Sequence, residues 1–223
     1  MPSRSPLPCA WPGCRTDRRP PQQDRIQRRV NRSVAHSTTD PVEPAWATAV
    51  LRFWFEELGE AHWFAKSAHI DAQIRSRFLS LHQRLVAQDG CTTATPQALL
   101  AAVIVLDQFS RNLFRGSRRT FAADPLARSL SRSAIRQGFD VTMQAEERLF
   151  LYMPFEHSED REDQAHAVEL IARLGNEAWT RDAISHNAII DRFGRFPHRN
   201  AILNRRSSAD ELTLLQQPPV WSL

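Results

Sequence analysis

The sequence predicts an all-α fold, about eight helices in antiparallel hairpins around a central apolar helix at 96–115. Three observations predict it. Apolar residues recur at helical spacing, as in Ile70, Ile74, Phe78, Leu81 and Leu85, and no stretch sustains period-two alternation. Beyond residue 44, Gly59, Gly90, Gly116, Gly138, Gly175 and Gly194 each follow an amphipathic or apolar run, where a helix closes through a left-handed residue. Starts are marked too: Thr95-Pro96 and Asp124-Pro125 put a capping side chain before a proline, and Ser208 to Glu211 spell a capping box.

Taken in order, these signals give helices near 44–58, closed by Gly59, and 68–88, closed by Gly90. The central helix follows at 96–115, then 125–137 up to Gly138, and 143–153, where the apolar run Leu149 to Met153 meets Pro154. Ser158 caps a helix at 159–174, whose acids Glu159, Asp160, Glu162 and Asp163 suit its positive end. Helices at 180–193 and 208–215 complete the set. Short links make neighbours antiparallel, and most helices are too short for a long four-helix bundle.

Residues 1–43 read differently, as a disordered Arg/Pro-rich tail ahead of a single helical domain at 44–223. Residues 1–44 hold eight of the fourteen prolines, with eight Arg against four acids and little apolar periodicity, so they cannot offset the entropy of ordering. A targeting presequence is opposed by those prolines, and an upstream start codon is the plainer alternative. The tail accounts for the whole net charge of +4, leaving 21 basic and 21 acidic residues in 45–223. A charge-balanced body gives no reason to expect a nucleic-acid partner. Three cysteines, Cys9, Cys14 and Cys91, make neither a disulfide framework nor a zinc site. No apolar run approaches the ~18 residues of a membrane span, so a cytoplasmic address and no membrane partner are expected. Lys66 is the one lysine beside 28 arginines.

Chemistry is concentrated in three stretches. In the central helix, Leu99 to Leu106 is apolar without a break and covers the whole circumference, so that half is buried on every side. Beyond it Asp107, Gln108, Arg111, Asn112 and Arg115 fall within an arc of about 140°, opposite Phe109 and Leu113. The second stretch is Phe155 to Asp160, in which Glu156 and His157 precede the cap and can turn inward. A carboxylate beside an imidazole suits a general base or a metal ligand, but a buried Glu answering an Arg is the better explanation of an isolated pair. The third is His186 to Asn200, where Pro197 stiffens a link carrying Arg195, His198, Arg199 and Asn200, with Phe193 and Phe196 as anchors. Arginines held by packing bind carboxylate or phosphate through a two-pronged fork, unless they pair with Asp107, Glu156 or Glu159. Glu162, His166 and Glu169 share a helical face but lack matching Glu-x-x-His elements, so no metal is expected there.

Phe53-Trp54-Phe55, Asp107 to Asn112, Phe114-Arg115-Gly116, Glu156 to Glu159 and Phe193 to Asn200, in that order, resemble the family known as domain of unknown function 924. The resemblance spans about residues 46–215. It implies an all-helical, tetratricopeptide-like fold and no assigned activity. Where the family continues Leu-Gly-Arg, this chain has Leu203-Asn204-Arg205; Asn is the next best residue for a left-handed backbone.

These observations lead to a helical domain that binds a small anionic ligand or an acidic peptide between the 96–115 helix and the 194–200 link. Arg111, Arg115, Arg195 and Arg199 supply charge, and His157, His186 and His198 supply adjustable donors. Asp107 and Glu156 orient the arginines, with Gln108, Asn112 and Asn200 beside them. No cofactor motif is present, and Cys91 has no base near it in sequence. One alternative is a hydrolase with Glu156 or His157 as general base and arginines stabilising negative charge. A scaffold with a purely structural polar network is the other.

Overall fold

A computed structural model describes residues 43–90 and 95–219 of the 223. Residues 1–42 of the expected tail, and Cys91, therefore lie outside the described residues. Every described element is helical. α1 (Ala45–Leu51) runs on as a π-helical stretch, Arg52–Leu58; then come α2 (Ala68–Ala87), α3 (Pro96–Leu113), α4 (Asp124–Arg136) and α5 (Ala145–Glu156). α6 (Arg161–Ala172), α7 (Glu177–Phe193) and α8 (Ala209–Gln216) complete the order, and no strand occurs among the described residues. No described helix is long and apolar enough to cross a membrane.

The local signals act largely where the sequence puts them. Thr95 Oγ1 accepts from the Ala98 amide at the start of α3, and Ser208 with Glu211 forms the capping box of α8. All six body glycines take positive φ, and so does Asn204, at 56°. Two starts differ. The side-chain cap of α6 is Asp160, not Ser158; Ser158 Oγ donates instead to Asp163 Oδ2 at 2.7 Å. Asp124 is the first residue of α4 rather than its cap, which frees its carboxylate for Arg111. Two lengths differ as well. α5 continues through Pro154 to Glu156, since only the Phe150 carbonyl loses its donor there. α7 begins at Glu177 because the Asn176 side chain caps the amides of Ala178 and Trp179.

α3 is the axis of the domain. It packs against α1, α2, α4 and α5, and every side chain from Ala98 to Ser110 is buried, as its unbroken apolar half requires. Aromatic rings close the core around it: Phe109 meets Phe53, Trp54 and Phe78 at centroid distances of 5.9, 5.6 and 5.0 Å, in tilted or edge-on pairs of the favourable kind. The π-helical stretch puts both Phe53 and Trp54 into this cluster. α6 pairs with α5 and α7, so the elements pair as antiparallel hairpins, an arrangement compatible with a tetratricopeptide-like stack.

His82 of α2 is buried inside the core, its Nε2 2.9 Å from Ser110 Oγ. Ser110 donates to the Leu106 carbonyl, so the imidazole donates to Ser110. Burial, reinforced by Arg119, pushes its pKa down to about 4. The unfolded chain protonates this histidine near pH 6.5, the folded chain only near 4, so stability falls as pH drops through that window. Denaturant unfolding at pH 7.5 and pH 5 is expected to show the loss, and His82→Gln to make it smaller by about one proton's linkage. An identical pH slope in the variant would show that His82 is not the group responsible.

Candidate functional site

Three helix faces converge on one cavity of about 500 Å³. α3 contributes Gln108, Arg111 and Asn112, at i, i+3 and i+4, with Arg115 in the turn just past its end; α5 contributes Leu149, Met153 and Glu156, with His157 at its end. α7 brings Trp179, Asp182 and His186, again one stripe at helical spacing. Links close the remaining sides: Trp63 to Lys66 ahead of α2, Phe121, and His198 with Arg199.

Asp107 lies behind this surface, fully buried. It accepts from Gln108 Nε2 at 2.7 Å and His157 Nδ1 at 2.8 Å, with Arg111 Nη2 at 3.3 Å. Burial works against its charge, but Arg111 and His157 outweigh burial and hold the carboxyl well below the ordinary range. Because that carboxylate only accepts, His157 carries a proton on Nδ1, and the residue lines the cavity. Glu156 forms a second carboxylate–imidazole pair. Its Oε1 is 2.8 Å from His186 Nδ1, which also lies 2.9 Å from the Asp182 carbonyl. The sequence alternative of a buried Glu answering an arginine is thus corrected to a Glu answering a histidine. The two imidazole centroids are 6.3 Å apart. Burial raises the Asp182 carboxyl, and neighbouring Glu156 adds to the shift. His198 is driven the other way: burial first, then the charge of Arg199, push it down to about 3, so it stays neutral.

The four arginines separate. Arg111 grips Asp124 with two prongs, 2.7 and 3.1 Å, and its charge is secured against burial by Asp107 and Asp124. Arg115 grips Asp71 of α2 at 3.0 and 2.9 Å, and Asn112 donates to the same carboxylate at 2.8 Å. Arg195, expected in the pocket, does not line it. Its Nε and Nη2 bind the Glu211 carboxylate at 2.6 and 2.8 Å, so it ties the link to α8; that pairing is the chief reason the Glu211 carboxyl falls to about 2. Asn200 is also outside the lining and donates to Ser207 at 3.0 Å. Nor does Glu159 answer Arg195 or Arg199 directly: it accepts from the Phe196 amide and from both prongs of Arg205, which pins the link.

Arg199 has no such acid. It is 7% exposed, with its guanidinium centred 4.5 Å from the Phe121 ring and 4.5 Å from the Phe196 ring. Its nearest carboxylate oxygen, Asp124 Oδ2, is 3.8 Å away and already held by Arg111. No side-chain N–H of Arg199 makes a hydrogen bond among the described residues, and Nε is buried without an acceptor. Burial, with the repulsion of Arg111, lowers its pKa to about 10. Buried guanidinium groups ordinarily have their donors satisfied, so this one is the exception to explain.

Sequence reasoning missed the opposite wall, Trp63, Phe64, Lys66, Trp179 and Asp182. The i, i+3, i+7 spacing of Trp179, Asp182 and His186 was the available signal, hidden by starting α7 three residues late. Glu162 and Glu169 are exposed, and no group of metal-binding character exists among the described residues.

A family model described as bacterial protein of unknown function, DUF924, matches residues 50–219. The structure is similar to that of a protein of unknown function from Agrobacterium tumefaciens, with a TM-score of 0.74 and 36% identity; the match covers 78% of this chain and 98% of that one. No curated protein matches. The order of motifs along the chain, the all-helical fold and the extent of the family match agree: this chain belongs to the DUF924 family.

Proposed function

We propose that the cavity between α3, α5 and α7 binds a small organic anion, with Arg199 as its anchor, in a protein with a cytoplasmic address. The observation that carries this is a buried guanidinium that packs over two phenyl rings, has its Nε without an acceptor, and meets a carboxylate no closer than 3.8 Å. Arg111 and Arg115 line the same space, but each already grips a carboxylate, so their charge shapes the site more than it binds. The volume favours a small molecule over an acidic peptide, because about 500 Å³ falls in the ~300–1,000 Å³ range of small-molecule pockets.

A thermal-shift panel of phosphate, sulfate, citrate, dicarboxylates, sugar phosphates and nucleotides tests the reading. A member that binds only the folded state stabilises it by about 2.7 kcal/mol at a hundredfold excess over Kd, roughly 5–10 °C for a domain of this size. The rise must saturate, since excluded ions such as sulfate stabilise without binding. If no anion gives a saturating rise, the scaffold reading replaces this one.

The Asp107–His157 pair supports a second reading, a hydrolase. With Nδ1 held by the carboxylate, Nε2 of His157 is oriented to take a proton from water attacking a bound ester. Glu156 is engaged by His186, which makes His157 the better base of the two original candidates. Product analysis of the panel's phosphate esters separates binding from turnover.

A further inference from the structure

The cavity's chemistry is divided. Its lining joins Arg199 and the imidazoles to an apolar set, Trp63, Phe64, Leu149, Met153 and Trp179; Leu149 and Trp179 stand about 10 Å of helix before the paired Glu156 and His186. Trp63 is fixed in place: its Nε1–H donates to the Trp54 carbonyl at 2.9 Å and its ring meets Phe150 edge-on at 4.8 Å. Phe64, by contrast, is 60% exposed although it lines the same space. Its ring stacks on Phe150, with centroids 6.2 Å apart. A bare inorganic anion reaching Arg199 leaves this wall and most of the volume unused.

Resting on the anion-binding reading, we propose that the ligand is a carboxylate carried on a flat, apolar, aromatic body. The Arg199 guanidinium packs over the Phe121 and Phe196 rings and its Nε is buried without an acceptor, so the N–H donors in its own plane are what it offers a ligand. A planar carboxylate pairs with a guanidinium in that shared plane through two parallel hydrogen bonds. The body attached to it then extends towards the tryptophan wall, where an aromatic ring gains both apolar burial and edge or offset stacking. Arg115 and Asn112 are held on Asp71 at the same cavity and do not compete for the carboxylate.

Isothermal titration calorimetry of the purified full chain with acetate, 2-naphthoate and 2-naphthalenemethanol tests the division of labour. 2-Naphthoate is expected to bind at least about a hundredfold tighter than either of the others, since only it uses both ends. Phe64→Ala, at a largely exposed position, and Trp179→Leu, which keeps an apolar side chain there, are expected to cost 2-naphthoate roughly three- to tenfold each, the scale of a lost stacking contact, and to leave acetate unchanged. Equal affinity for acetate and 2-naphthoate would overturn the aromatic body and leave the anion site standing. Equal affinity for 2-naphthoate and 2-naphthalenemethanol would instead remove the carboxylate, and Arg199 as its anchor, from this proposal. Absence of binding by 2-naphthoate overturns this proposal, while the anion panel decides the broader one independently.

Discussion

Ile104→Asp is expected to leave no soluble, cooperatively folding protein. Ile104 has no exposed surface and sits in the half of α3 that is buried on every side, between helices that α3 contacts from four directions. Removing the aliphatic side chain alone costs about 2–5 kcal/mol, as Ile104→Ala would measure. The aspartate adds an ion or a forced protonation with no basic group or donor within an apolar shell, several kcal/mol more. Against a total stability of roughly 5–15 kcal/mol, the sum exhausts most or all of the fold. Soluble yield and the circular-dichroism melt report the outcome. A soluble variant that melts cooperatively would mean that α3 is not the axis around which the other helices pack.

The legible part of this protein was local. Thr95 and Ser208 cap where they were expected because capping depends on three or four adjacent residues, and α3 announced its burial through eight consecutive apolar side chains. The π-helical stretch at Arg52–Leu58 was not legible, since the pattern around Phe53-Trp54 fits an α-helix equally well. Pro154 misled for a related reason: a proline near a helix end loses one hydrogen bond, and the burial of Phe155 and Glu156 outweighs it.

In the site, the polar stripe of α3 could be read, but its partners could not. Asp71 and Asp124 stand in the first turns of α2 and α4, where the helix dipole explains an acid without further help, yet they answer Arg115, just past α3, and Arg111 of α3. Arg195 and Arg199 show the limit most clearly. They sit four residues apart on one link and look equivalent in sequence. After Gly194 turns the chain through φ 66°, Arg195 faces Glu211 of α8, whereas the tight turn at Pro197–Arg199 carries Arg199 inward onto the Phe121 and Phe196 rings. Only the tertiary position of α8 distinguishes a structural tie from a candidate anchor.

Arg199→Met is expected to melt at or above the temperature of the parent while losing its anion response. The guanidinium is charged in the folded and unfolded chain at neutral pH, and a folded pKa near 10 rather than 12.5 means that burial disfavours the charge, by an amount on the order of 3 kcal/mol. Stacking between Phe121 and Phe196 returns part of this, about 0.5–2 kcal/mol for each ring. Methionine keeps an unbranched, polarizable side chain against both rings and removes the charge and its unmatched donors. Asp124 is not stranded by the change, because Arg111 still holds both of its oxygens. The balance leaves stability unchanged or raises the melting point by a few degrees, at roughly 2–4 °C per kcal/mol. Binding moves oppositely: losing one side of a buried, hydrogen-bonded charge pair costs about 2–5 kcal/mol, so the affinity of any anion found in the panel falls by roughly thirtyfold or more. Arg199→Lys supplies the control, retaining charge but not the planar fork, and is expected to weaken binding without the gain in stability. A melting point lowered by more than about 5 °C in Arg199→Met would make Arg199 a tie of the fold, since a shift of that size corresponds to more than a kcal/mol of lost stability. An unchanged anion affinity in a folded Arg199→Met would move the anchor elsewhere in the cavity.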